Sequence, residues 1–254
     1  MTEKCCRDGS DSERMSFCGC GDFLLSEVRD NYLRVVDNVN NTCERLGVKY
    51  PVKISAATKT VPPSVINYAA SLGLKCIGEN RVQEFLDKEI HLDESIERHF
   101  IGTLQRNKVK YIAGKVSLIQ SVDSVPLALE ISRRAEAGGF VQDILAEINI
   151  GRESGKGGFL PENLENSLDM MSEFHGIRLC GIMTIAPHCS KKDDYRKFFA
   201  ETYQILLDIA AKKMHNIEVP LLSMGMSDNY EIAIEYGANI IRPGTAIFGK
   251  RHYS

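Results

Sequence analysis

The stretch VKISAATKT, residues 52–60, is a run of small and β-branched side chains that ends in Lys59, just ahead of Val61-Pro62-Pro63. Side chains of this kind suit a buried strand, and proline suits the first turn of a helix because its φ is already set. The same alternation repeats along the chain. LKCIGE (74–79), RHFIGTL (98–104), VSLIQSV (116–122), DILAEINI (143–150), IRLCGIMTI (177–185), VPLLSM (219–224) and ANIIRPG (238–244) are further short apolar runs. Helix-period stretches separate them; Ser124 with Pro126 opens one, and Gly138 and Gly237 close two. Eight such units with near-continuous apolar strands predict a parallel sheet covered on both faces and closed into a (β/α)8 TIM barrel. An open doubly wound sheet is the alternative, but no glycine-rich dinucleotide turn follows the first strand. Upstream, Leu24, Val28, Tyr32, Val35 and Val39 recur at helical spacing up to Gly47. That spacing predicts a long helix ahead of the barrel.

At 254 residues, 43% hydrophobic and 26% charged, the chain suits a single α/β barrel over 22–254. The Ser/Asp/Gly/Arg-rich residues 1–21 are expected to be a disordered tail. Thirty-one basic against 34 acidic residues give a net charge of −3, and no basic run carries interleaved aromatics, so a nucleic-acid partner is not expected. Neither a membrane span nor a secretory signal is visible, which makes the cytoplasm the expected compartment. Of the eight cysteines, Cys43, Cys76 and Cys180 sit among core-like residues and read as buried thiols. Cys5, Cys6, Cys18 and Cys20 could form a metal-binding tuft, but no histidine follows at finger spacing, and no metal is expected.

In a barrel the C-terminal ends of the strands form the functional face, and Lys59 falls there. A desolvated amine favours its neutral form, which can attack a carbonyl to give a Schiff base; the plain alternative is a solvated loop lysine. Asn80 ends the second strand and could donate to an oxygen substituent on a ligand ring, or simply cap the next helix. Thr103 to Lys108 after the third strand carry no assigned role. The loop from Ile150 to Gly157 is glycine-rich, yet Gly151 to Gly155 leaves one residue too few for a Walker A motif, and Gly157 stands where the hydroxyl should be. After strands seven and eight come Ser223-Met224-Gly225-Met226-Ser227-Asp228 and Arg242-Pro243-Gly244-Thr245. Barrels commonly bind phosphate through these two loops, although each glycine taken singly is also compatible with an ordinary turn. A carbonyl-binding amine with a phosphate cradle asks for a phosphorylated aldehyde, of which pyridoxal 5′-phosphate (PLP) is the commonest cofactor.

The motifs ATKT (57–60), GENRVQE (78–84), HFIGTLQRNK (99–108), GIMTIAP (181–187), SMGMSDNYEIAI (223–234) and IRPGTAIFG (241–249) make roughly residues 22–251 resemble the pyridoxal phosphate homeostasis protein family. Members of that family share the barrel of the alanine racemase N-terminal domain. The resemblance implies that Lys59 is the Schiff-base lysine and Asn80 lies near the ring. It also implies that Ser223, Gly225, Gly244 and Thr245 hold the phosphate and that Arg242 faces the pyridine nitrogen. A fixed cation there opposes ring protonation and weakens the ring as an electron sink. Alanine racemases also use a tyrosine from a separate C-terminal domain of a partner subunit, and little sequence follows Arg242 here. The expectation is therefore a monomeric carrier in PLP homeostasis that stores or delivers cofactor to apo-PLP enzymes, with no catalytic residues. The alternatives are a weak PLP-dependent amino-acid racemase or lyase, and a phosphosugar enzyme using Lys59 as an aldolase-like amine.

Overall fold

The computed structural model describes residues 14–17, 20–211 and 221–249. Cys5, Cys6 and Cys18 of the cysteine-rich segment lie outside them, as do Val219 and Pro220 of the seventh apolar run. Where the composition suggests a tail, β1 (Arg14–Phe17) and β2 (Cys20–Leu24) pair as an antiparallel ribbon. Next comes α1 (Leu25–Leu46), the expected long helix, which buries Val28, Tyr32, Val35 and Val39 at its i, i+4, i+7 spacing and ends at Gly47 with φ 65°.

All eight predicted strands form. They are β3 (Lys53–Ala57), β4 (Cys76–Glu79), β5 (Glu97–Phe100), β6 (Leu118–Val122), β7 (Gln142–Ile148), β8 (Ile177–Thr184), β9 (Leu221–Ser223) and β10 (Ile240–Ile241). Each pairs in parallel with its sequence neighbour, and β10 returns to β3, closing the barrel. Helices α2 (Pro63–Ser71), α3 (Val82–Glu89), α4 (Val125–Gly138), α5 (Leu164–Ser172), α6 (Tyr195–Ala211), α7 (Tyr230–Glu235) and α8 (Thr245–Phe248) alternate with the strands. Between β5 and β6 the chain makes a 3-10 helix over Arg106–Tyr111. Pro63 does open α2, and α4 ends on Gly138 with Gly139 taking the left-handed turn at φ 71°. No helix among the described residues is long and apolar enough to cross a membrane.

Strand alternation splits the apolar residues into two sets. Outward-facing Ala56, Ile77, Phe100, Ile119, Ile144, Ile182, Leu222 and Ile241 pack under the helices in the main core. Leu118, Leu145, Met183 and Ile240 face one another inside the bore as a separate small cluster. Two residues further along the same strands stand polar groups, Gln120, Glu147 and Arg242, which lead to the C-terminal rim. Below the apolar layer, Lys53 pairs with Glu97 at 2.6 Å and Arg178 with Asp143 at 2.7 Å, around a cavity of about 360 Å³ at the N-terminal mouth.

The closing seam is thin. β10 gives only Ile240 and Ile241 to the pairing with Lys53 and Ile54, and α1 packs against α7 and α8 beside it. Phe248 of α8 is 8% exposed in the main core. Replacing it by alanine is expected to cost about 3–5 kcal/mol, the usual range for truncating a buried phenylalanine, measured as a shift in the urea midpoint at constant slope.

Candidate functional site

Every residue assigned to the expected site lies at the C-terminal end of a strand or in the loop after it. Lys59 lies two residues past β3, Asn80 one past β4, Ser223 ends β9, Gly225 follows it, Arg242 follows β10, and Gly244 and Thr245 begin α8. Backbone bonds tie these loops together. Ala57 N donates to Pro243 O at 2.9 Å and Arg242 N donates to Gly225 O at 2.9 Å. Gly244 sits so close to β3 that a Cβ there would be 3.2 Å from Ala57 O, and Gly225, at φ 92°, would place one 2.6 Å from Ala233 Cβ. Asn80 is held from the other side by Gly102, where a Cβ would fall 2.0 Å from Asn80 O.

The loop that carries Lys59 is stapled on both sides. Lys88 of α3 donates to Thr58 O at 2.8 Å and to Glu79 Oε1 at 3.0 Å, and Thr58 Oγ1 donates to the same carboxylate oxygen at 2.6 Å. Glu84, one helical turn earlier, accepts the Thr60 N–H at 2.8 Å. Thr60 has φ 63°, an unfavourable region for a β-branched residue, so these bonds fix a strained turn immediately after Lys59. Glu79 is fully buried; burial pushes its carboxyl up, and Lys88 opposes that shift.

Arg242 is 4% exposed, and its guanidinium enters the bore. Nη1 donates to Ser223 Oγ at 2.5 Å and Nη2 to Thr184 O at 2.7 Å. Burial pushes it down to about 10, which still leaves it charged at neutral pH, and Glu147 opposes that shift. Glu147 itself is pushed up to about 7, first by burial and then by the negative charge of Asp123.

Ser223 lies among the expected phosphate-holding residues by sequence, yet its hydroxyl is spent inside the bore. It accepts from Arg242 and donates to Gln120 Oε1 at 2.6 Å. Alternation explains this, since Ser223 is the last β9 residue and points inward. Ser227 is the hydroxyl that reaches the loop after β10. Its Oγ accepts from Gly244 N at 3.1 Å and from Ala246 N at 3.0 Å. Two backbone donors converging on one hydroxyl leave its own hydrogen to donate outward, and beside Gly225, where a Cβ would clash, that hydroxyl is suited to an anionic oxygen. The sequence reading missed Ser227, Glu79, Glu84, Lys88, Thr184 and Glu147 as contributors to this rim. For Ser227 a signal was present in SMGMSD, whereas the partners of Lys88 and Arg242 depend on strand register, which a single sequence does not reveal.

Lys88→Met strands the buried Glu79 charge and is expected to cost about 3–5 kcal/mol in urea unfolding, whereas adding Glu79→Gln to it should recover most of that loss. Glu147 binds a proton in the folded state up to about pH 7, against 4.5 for an ordinary glutamate. Its contribution to stability is therefore full below the ordinary value and lost as pH rises through the folded one. Accordingly, Glu147→Gln should raise the melting temperature at pH 8 and leave it nearly unchanged at about pH 4, a comparison that differential scanning calorimetry can make.

Residues 31–252 match the family described as "Alanine racemase, N-terminal domain". A pyridoxal phosphate homeostasis protein of Aquifex aeolicus is 46% identical over 87% of this chain and 96% of its own length. Among solved structures, a protein of unknown function from Bifidobacterium adolescentis superposes with a TM-score of 0.84 at 34% identity, over 88% of this chain and 95% of that one. PipY of Synechococcus elongatus, in a structure with PLP bound, gives 0.72 at 29% identity, over 82% of this chain and 99% of that one. The closed parallel barrel with its preceding helix, the rim motifs and the near-complete two-way coverage place the chain in the pyridoxal phosphate homeostasis protein family, whose barrel is that of the alanine racemase N-terminal domain.

Proposed function

We propose that the protein binds PLP as a Schiff base on Lys59 and serves intracellular PLP homeostasis by storing the cofactor or passing it to apo-PLP enzymes. One observation carries this reading: the Ala57–Pro243 bond joins the Lys59 loop to the loop whose backbone donors converge on Ser227. An amine and an anion cradle thus share one rim, as a phosphorylated aldehyde requires. PipY, recorded with PLP bound, supports the same ligand by similarity.

When bound, PLP supplies an aldehyde and an aromatic ring able to accept electron density. This chain's residues do the remaining work. The Thr58 and Thr60 staples hold the backbone on both sides of Lys59, so the amine would be offered to the aldehyde from a fixed turn. The Ser227 hydroxyl, held by the backbone N–H groups of Gly244 and Ala246, would donate its own hydrogen to a phosphate oxygen, with the Gly225 and Thr245 positions beside it. Asn80 serves the ring substituent. The Arg242 charge, fixed in the bore, opposes a proton on the ring nitrogen and keeps the ring a poor electron sink, which suits a carrier better than a racemase.

Borohydride reduction followed by peptide mapping should find one pyridoxyl group on Lys59 in the wild type and none in Lys59→Ala. Ser227→Ala should weaken PLP roughly tenfold, the scale of one lost hydrogen bond to a charged group, while affecting pyridoxal much less. Mixed with an apo-PLP enzyme, loaded protein should restore activity. Mixed with L-alanine, it should give no sustained racemisation, and steady turnover there would favour the enzyme reading.

A further inference from the structure

A chain of side chains runs down the bore from the rim to the opposite mouth in continuous hydrogen-bond contact. Arg242 Nη1 donates to Ser223 Oγ at 2.5 Å, and Ser223 Oγ donates to Gln120 Oε1 at 2.6 Å. Gln120 Nε2 and His99 Nδ1 are 2.7 Å apart, and His99 Nε2 and Glu97 Oε1 are 2.9 Å apart. Glu97 ends the chain, with Lys53 donating to its second oxygen at 2.6 Å. Arg242, Ser223, Gln120 and His99 are all 4% exposed or less, so water does not compete for these bonds.

The proton arrangement along the chain follows from its cationic end. A guanidinium has donors and no acceptor, so Ser223 Oγ must accept from it and send its own hydrogen on to Gln120. The Gln120 amide therefore turns its oxygen toward Ser223 and its NH2 toward His99. Facing that donor, Nδ1 must be bare, which puts the imidazole proton on Nε2, pointing at Glu97. The electrostatics agree. Burial pushes His99 down and keeps it neutral, while hydrogen bonds from His99 and Lys53 hold Glu97 ionised, at about 2. Every bond thus points from the Arg242 cation to the Glu97 anion.

We infer that Gln120 and His99 are positioning residues for Arg242, acting from inside the barrel through Ser223. The inference rests on the reading that Arg242 faces the ring of a bound PLP. Neither residue reaches the rim, and neither is needed to fill an apolar core. An apolar side chain at position 120 leaves Ser223 without its acceptor, and one at position 99 leaves the Gln120 NH2 without the partner that holds its oxygen toward Ser223; either way Arg242 loses the contact that fixes one end of its guanidinium. A metal reading of the same region is weaker. Cys76, Glu97 and His99 place ligand atoms within 4.8 Å of one another, but burial pushes the Cys76 thiol up to about 12, and the His99 proton is spent on Glu97.

The test uses the full chain loaded with PLP, as wild type, Gln120→Leu, Gln120→Met, His99→Leu and His99→Gln, with melting temperature as the folding control. Gln120→Met keeps the length and volume of glutamine but has neither amide group and no charge, so it covers the case in which a leucine prevents folding. Two readouts are taken: borohydride fixation at Lys59, and the midpoint of the pH titration of the bound cofactor's absorbance. Glu147, the titratable group facing Arg242, is the same in all five proteins. Gln120→Leu, Gln120→Met and His99→Leu are expected to raise the midpoint by about one pH unit, because a displaced cation no longer opposes ring protonation. His99→Gln, which can accept from Gln120 and donate to Glu97, should stay at the wild-type value. With the pyridoxyl group present on Lys59, an unchanged midpoint in all three disrupting variants overturns the inference, as does His99→Gln behaving like His99→Leu. Zinc that is stoichiometric in the wild type and lost in His99→Leu overturns it too, since a metal on Nε2 would break the chain. A wild type that fixes no pyridoxyl at Lys59 overturns instead the PLP reading on which the inference rests.

Discussion

A guanidinium that is 4% exposed inside a barrel cannot be left without acceptors, and much of the interior is organised by that requirement. Arg242 takes the Thr184 carbonyl at the end of β8 and the Ser223 hydroxyl at the end of β9. The Glu147 carboxyl stands near enough to bias its charge. Because Ser223 is spent in this way, the oxygen that meets the backbone donors of Gly244 and Ala246 must come from elsewhere, and Ser227 supplies it. A cation in the bore thereby decides which of two nearby serines works inward and which works at the rim.

Two strands from β10, a second buried charge does a comparable job for Lys59. Glu79 sits at the end of β4 with Lys88 and the Thr58 hydroxyl as partners, and the resulting cluster holds the backbone on both sides of the lysine. The energy of that cluster resides less in the ion pair than in the penalty for breaking it. Such a site is rigid at modest net cost, and rigidity is what a loop holding a strained Thr60 requires.

How much of this was legible depends on range along the chain. The eight strands could be read because buried parallel strands are almost continuously apolar, and α1 because five apolar residues recur at helical spacing. Lys59, Gly225 and Gly244 could be read because each sits just past such a run, where a barrel puts its chemistry. Inward polar residues were a different matter. Gln120, His99 and Glu97 each look like interruptions of an apolar strand, and only the β5–β6 register, with Ser223 of β9 reaching Gln120 across the bore, lines them up. Lys88 looks like a solvated helix residue until α3 is packed against β4, and Arg242 was reached by family resemblance, its partners not at all. The composition of the first residues gave no sign of the β1–β2 ribbon.

The seam between β10 and β3 has a consequence for how the molecule is made. The first strand of the barrel must wait, through synthesis of nearly all the others, for a two-residue partner that arrives last. Until then its edge is an unpaired template for other chains, and the rim does not exist, because Lys59 and the Gly244 loop lie on opposite sides of the gap. Contacts so distant in sequence form late. A small molecule gripping both sides would act as a clasp across the closing join of the barrel, so the lifetime of the closed form would track the supply of the ligand that fits it.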